Sequence, residues 1–260
     1  MTDAVTDSRH PRDRFITVYG RKPVIELLEQ ENRTIRRIVL DVRARGPIAR
    51  KILELAAARG GEVERGDAAL VTKLSRNAKQ DQGVAADVEA PRMASLSRWL
   101  SSQSADATLR LWMLDGVTNA SNVGMILRSA VACGVGGVVL PRRGCPEVGP
   151  MVIKASAGMA YEAPVLRVAT VKEAISLLEA HGVTLVGLTG ASADALDDVT
   201  VPARCAIALG NETSGLSTAV LGASKERWRI PMAPGAESLN VAVAAAVVGF
   251  EIARRDRIAR

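Results

Sequence analysis

The stretch Leu109 to Pro141, LRLWMLDGVTNASNVGMILRSAVACGVGGVVLP, decides the fold class. Its opening run, LRLWMLDGV, has the length and composition of a buried strand, and GVGGVVLP at its end is a second one. Between them lies a helix-length segment of small and apolar residues. Strand, helix, strand is a βαβ unit with its two strands parallel. The same order recurs downstream in VKEAISLLEAHG with VTLVGLTG, and the strand CAIALG is followed by the helix LSTAVLGAS. The pattern predicts an α/β domain with a mostly parallel sheet covered on both faces. Such sheets bind ligands beyond the carboxyl ends of their strands, so the loops there should carry the chemistry.

Upstream, FITVYGRKPVIELLEQ, RRIVLDVRARG, IARKILELAAARG and GGEVERGDAALVTKL alternate short strands with amphipathic helices. QDQGVAADVEAP reads as the last strand of this smaller α/β domain, ended by Pro91. RMASLSRWLSSQSADATLR is serine-rich and polar and reads as a linker. The expected division is a disordered lead-in at 1–14, a first domain at 15–90, a linker at 91–108 and a second domain at 109–260.

The chain has 260 residues and a formal net charge of +6, and its basic excess is mostly N-terminal. Residues 1–110 hold 20 Lys and Arg against 15 Asp and Glu, whereas 111–260 hold 14 against 13. A basic domain suits a phosphate backbone, although a solvated surface explains the same charge. No apolar run is long enough to span a bilayer, and MTDAVTDSRHPRDR lacks the apolar segment of a secretory signal, so a cytoplasmic protein is expected. Cys133, Cys145 and Cys205 are odd in number and widely spaced, which favours reduced, buried thiols over a disulfide framework. With only His10 and His181 present, a histidine-based triad or zinc site is not expected, and no metal is assigned.

Three loops concentrate the informative residues. In TNASNVGMILRSA, Asn122 stands where its side chain can cap the helix, and Arg128 is a lone charge among Ile126, Leu127, Ala130 and Val131. Arg128 can reach back to a phosphate at the helix start or can pair with a carboxylate of another element; both readings stay open here. In IALGNETSGLS a strand runs into Gly210, Asn211, Glu212 and Gly215, where glycine permits close backbone approach. In RWRIPMAPGAESLNVAVAAAVVGFEIARR a strand ends at Pro231 and Ser238 can cap a helix apolar on nearly every side. Asn240 is the exception in that helix's first turn. No dinucleotide fingerprint accompanies these loops, since GVGG at 134–137 precedes a strand instead of opening a helix.

Taken together, Asn122-x-Gly124-x-x-x-Arg128, Leu209-Gly210-Asn211-Glu212-x-x-Gly215-Leu216 and Ile230-Pro231-Met232 with Ser238-Leu239-Asn240-Val241 resemble the three ordered motifs of the SpoU/TrmH family, of the SPOUT class. The first domain resembles the ribosomal-protein-like RNA-binding domain of its 23S rRNA guanosine members, through Val18-Tyr19-Gly20, Pro23-Val24 and Gln82-Gly83-Val84. The second motif departs from the usual pattern at Asn211 and Thr213, where glycine or alanine is common.

The resemblance implies an S-adenosylmethionine-dependent RNA ribose 2′-O-methyltransferase with a deep trefoil knot in its C-terminal domain, acting as a homodimer. It implies cofactor binding by Gly210, Ile230 and Leu239, with Thr189, Gly190 and Met232 around them. It also implies a catalytic cluster of Asn122, Arg128, Glu212, Ser238 and Asn240. The expected substrate is 23S rRNA. The alternatives are a tRNA 2′-O-methyltransferase or a non-catalytic RNA-binding, ribosome-assembly protein of the same fold.

Overall fold

A computed structural model describes residues 15–30, 33–91, 93–236 and 238–258; the expected lead-in, 1–14, lies outside them. The chain divides into two compact units, Met1–Ala90 and Pro91–Arg260.

The first unit contains β1 (Phe15–Tyr19), α1 (Arg21–Leu28), β2 (Ile35–Asp41), α2 (Pro47–Ala58), β3 (Val63–Gly66), α3 (Ala68–Ser75) and β4 (Val84–Glu89). Its sheet has the order β1-β4-β2-β3, with β4 antiparallel to both β1 and β2, and β3 parallel to β2. Val24, Ile38, Val39, Ile52, Val84 and Val88 are buried; Ile38 and Val39, consecutive on β2, face opposite sides of the sheet, so both of its faces are covered. Asp81, itself buried, accepts hydrogen bonds from Thr72, Ser75 and the Gly83 amide. The turn before β4 is thereby fixed to the end of α3.

The second unit contains β5 (Ala94–Ser95), α4 (Leu96–Ser101), β6 (Leu109–Asp115), α5 (Ala120–Cys133), β7 (Gly137–Pro141), α6 (Pro150–Ala155), β8 (Val165–Val168), α7 (Val171–Ala180), β9 (Thr184–Leu188), β10 (Arg204–Gly210), α8 (Thr218–Ala223), β11 (Glu226–Trp228) and α9 (Val241–Ile258). A single 3-10 turn, Met159–Tyr161, follows α6. The strands form one sheet, β11-β9-β10-β6-β7-β8-β5, in which every neighbouring pair is parallel. Leu111, Met113, Val139, Leu166, Leu185, Ala206 and Ala208 meet in one core beneath it.

Residues 91–108, read from the sequence as a linker, include β5 and α4 of this second unit. Leu96 and Leu100 lie four apart on one face of α4 and are both fully buried in the core. Two leucines at helical spacing outweigh the serines around them. The final strand likewise ends earlier than Pro231, at Trp228, followed by an isolated bridge between Ala195 and Arg229.

From β6 the chain builds outward through β7 and β8, then crosses to β9 on the other side, and β10 returns between β9 and β6. The strand order therefore reverses at β6 and β10. A ligand crevice is expected beyond their carboxyl ends, at Asp115 and Gly210.

Candidate active site

The loops after β6 and β10 are locked together at that point. Asp115, buried at the end of β6, accepts the Ser217 amide at 2.6 Å. Asn211, just past β10, donates to the Gly116 carbonyl at 2.8 Å and accepts the amides of Thr213 and Ser214 at 2.9 and 3.1 Å. Its side chain thus holds both loops at once. Backbone bonds between Asn211 and Gly215 run in both directions at 2.9 Å and close the turn. A Cβ at Gly210 would stand 2.4 Å from the Gly215 carbonyl carbon, so only glycine fits.

Helix α5 starts earlier than the sequence suggests. Its cap is Asn119, whose Oδ1 accepts the amides of Ser121 and Asn122. Asn122 sits within the first turn, buried, with its side chain turned to the second and third loops. Gly124 follows where α5 meets α6: a Cβ there would come within 2.5 Å of the Val152 carbonyl oxygen and 2.6 Å of the Ala155 Cβ.

At α9, the cap is Asn240 and not Ser238. Asn240 Oδ1 accepts the amides of Ala242 and Val243 at 2.9 and 3.4 Å. This fixes the orientation of the side-chain amide, because its oxygen faces the helix and its nitrogen must point away. Asn240 Nδ2 donates to Asn122 Oδ1 at 3.2 Å, and Asn122 Nδ2 donates to Glu212 Oε1. The result is a directed chain of donors running from the start of α9 to a carboxylate. All three sequence motifs meet in it.

Beside this chain is a cleft of about 400 Å³. Thr189, Gly190, Gly210, Glu212, Ile230, Met232, Ser238 and Leu239 all line it, so every expected cofactor-binding residue faces one space. Leu188, Leu209, Leu216 and Val241 add apolar wall. Volume, apolar walls and exposed backbone suit a cofactor of nucleoside size. S-adenosylmethionine fits this lining: an adenine needs apolar surfaces with a few backbone polar groups, and glycines at 190 and 210 admit close contact.

Arg128 is not hydrogen-bonded to the cluster. It is exposed on α5 and has no ion pair or hydrogen bond to any described residue, which removes the carboxylate-pairing explanation within the described chain. The cysteines are free thiols, and burial raises Cys145 and Cys205 to about 11. Among the described residues no group of three His, Cys, Asp or Glu side chains could hold a metal ion, and no helix is long and apolar enough to cross a membrane.

Asp115 is a shaping residue that sequence reasoning did not single out. Asn211 is named there only as part of the second motif, and its structural duty is a local side-chain turn, in which Oδ1 accepts the Thr213 and Ser214 amides. Asp115 has no such local signal, because its partner is 102 residues away.

A parallel sheet with a nucleoside-sized cleft and a polar chain at its switch point defines a small-molecule-binding α/β enzyme. The comparisons with known proteins narrow that class: the chain belongs to the SpoU rRNA methylase family, whose model matches residues 110–250. It is an S-adenosylmethionine-dependent RNA 2′-O-methyltransferase. A second model, described as RNA 2′-O ribose methyltransferase substrate binding, matches residues 17–94. The chain is 30% identical over 244 residues to the 23S rRNA (guanosine-2′-O-)-methyltransferase RlmB of Xanthomonas campestris, covering 92% of this chain and 96% of that protein. It is 33% identical over 248 residues to an uncharacterized tRNA/rRNA methyltransferase of Mycobacterium tuberculosis, covering 94% and 76%. The crystal structure of the SpoU methyltransferase AviRb from Streptomyces viridochromogenes, in complex with the cofactor AdoMet, superposes with a TM-score of 0.69 at 27% identity, covering 96% and 93%.

Proposed function

We propose that this chain methylates a ribose 2′-hydroxyl of 23S rRNA, with Asn122, Arg128, Glu212, Ser238 and Asn240 as its catalytic residues. The observation that carries the reading is the donor chain from Asn240 through Asn122 to Glu212, which joins three distant loops beside the cleft. The rRNA substrate is supported by the basic excess of residues 1–110, by the substrate-binding match and by the 23S rRNA activity in the name of the Xanthomonas relative.

When bound, S-adenosylmethionine supplies a methyl group on a cationic sulfur that departs as a neutral thioether. Backbone at Gly210, Ile230 and Leu239, with Thr189, Gly190 and Met232, would hold it in the cleft. Asn122, Ser238 and Asn240 orient the ribose oxygen toward that methyl, and alignment supplies much of the rate. Glu212 Oε1 is engaged by Asn122, while Oε2 has no partner among the described residues. That free oxygen accepts the hydroxyl hydrogen bond and takes the proton as the O–C bond forms. Arg128 grips the neighbouring phosphate, because a guanidinium is too basic to serve as a proton acceptor.

The same reading includes a homodimer, a trefoil knot and a cytoplasmic location. Val243, Val247 and Phe250 form an exposed apolar stripe along α9, at 49%, 39% and 50% exposure, which suits a second copy. Arg255, near the end of α9, donates to the carbonyls of Leu196 and Val199, and this tie supports a last helix held within the preceding loop.

Labelled S-adenosylmethionine offered with separated 23S rRNA, 16S rRNA and tRNA, each lacking modifications, tests the proposal. Ribose-bound label on 23S rRNA is expected. Label confined to another RNA, or none at all, contradicts it.

A further inference from the structure

Charge in the second unit is unevenly placed around the site. From Gly116 to Tyr161 the chain carries four cations, Arg128, Arg142, Arg143 and Lys154, and one carboxylate, Glu147. The remainder of 111–260 carries ten cations and twelve carboxylates. Glu147 is already engaged, accepting from the buried Arg167 at 2.6 Å and lying 3.5 Å from Arg142. Arg128, Arg143 and Lys154 are exposed, and none has a carboxylate partner among the described residues.

Their positions relate them to one site. Arg143 lies in the loop after β7, which is fastened by its amide to the Ala169 carbonyl at 3.2 Å. The next residue, Gly144, has φ +88° and abuts the loop after β6: a Cβ there would stand 3.7 Å from Gly116 Cα. Gly116 in turn accepts from Asn211, the neighbour of Glu212. Lys154 belongs to α6, which presses on Gly124 of α5 one turn before Arg128. The cofactor cleft opens elsewhere, among the β9 and β10 loops and α9.

We propose that Arg143 and Lys154 extend the grip of Arg128 into a track for the phosphates flanking the target ribose, so that the RNA strand runs over the β7 loop and α6. The inference rests on the methyltransferase reading and goes beyond it by naming the strand's path. Exposed cations without local counter-charges release bound salt ions when they meet phosphates, and such contacts position a strand without reading its sequence. Arg143 and Lys154 are positioning residues in this scheme.

The test is binding of the full chain to an unmodified 23S rRNA transcript across a salt series, alongside steady-state transfer. Arg143→Ala and Lys154→Ala should each raise the RNA KM by about threefold to tenfold at moderate salt. The double variant should lower the slope of log affinity against log salt by about 1.4, the value for two single-strand contacts. The kcat and the S-adenosylmethionine affinity should not change. Lys172→Ala, which removes an exposed cation from α7, should leave slope and KM at parental values. A double variant with the parental slope, or a parent that fails to bind the transcript, overturns the track. A parent that binds but transfers no methyl overturns the proposed activity, and the slope then still decides the track.

Discussion

Asn240 donates through Nδ2 to Oδ1 of Asn122 at 3.2 Å, although 118 residues separate them. The direction of that bond is set by the start of α9, whose amides occupy the Asn240 oxygen. One side chain thus caps a helix and orients the next member of the site.

These two duties separate by substitution. Asn240→Asp keeps an acceptor for the helix amides but cannot donate to Asn122. Thermal stability should stay near the parental value while kcat falls about 100-fold, the usual effect of removing one positioned donor. Asn240→Ala loses the cap as well and should cost about 1 kcal/mol of stability in denaturant unfolding.

Gly210→Ala places a Cβ against the Gly215 backbone, which has no flexible atom to give way. The turn must shift, at a cost of about 1 to 3 kcal/mol. Calorimetry should show S-adenosylmethionine affinity reduced about tenfold or more, since the shifted turn forms the cleft wall.

Leu96 tests whether the serine-rich segment belongs to the second unit. Leu96→Ala should destabilise the protein by about 2 to 4 kcal/mol, as expected for a fully buried leucine. A true linker position would tolerate the change within about 0.5 kcal/mol.

Glu251 provides a pH test. Hydrogen bonds from Arg254 and Arg255 hold its carboxyl down at about 2, well below the ordinary 4.5. Its contribution to stability is therefore present in full above the ordinary value and is lost as pH falls toward about 2. The Tm difference between parent and Glu251→Gln should be constant from pH 8 to 6 and shrink between about pH 4.5 and 2.

Legibility in the sequence followed the range of the interactions. Strands β6, β7, β9 and β10 announce themselves as short apolar runs, and the loops at their carboxyl ends follow from the parallel order. The helix starts did not, because Asn119 and Asn122, like Ser238 and Asn240, are competent caps within three residues of each other. Which one caps depends on where tertiary contacts start the helix. Leu96 and Leu100 were obscured by serine, in a helix of six residues too short to show a period. The grip of Asp115 on Ser217 joins residues adjacent only across β6 and β10.

The most direct measurement is single-turnover methyl transfer by Asn122→Ala, with S-adenosylmethionine affinity measured on the same preparation. Transfer should fall at least about 100-fold with cofactor affinity within about threefold of the parent, because Asn122 orients Glu212 without lining the cleft. Transfer at the parental rate would contradict the assignment of the Asn240–Asn122–Glu212 chain as the site of chemistry.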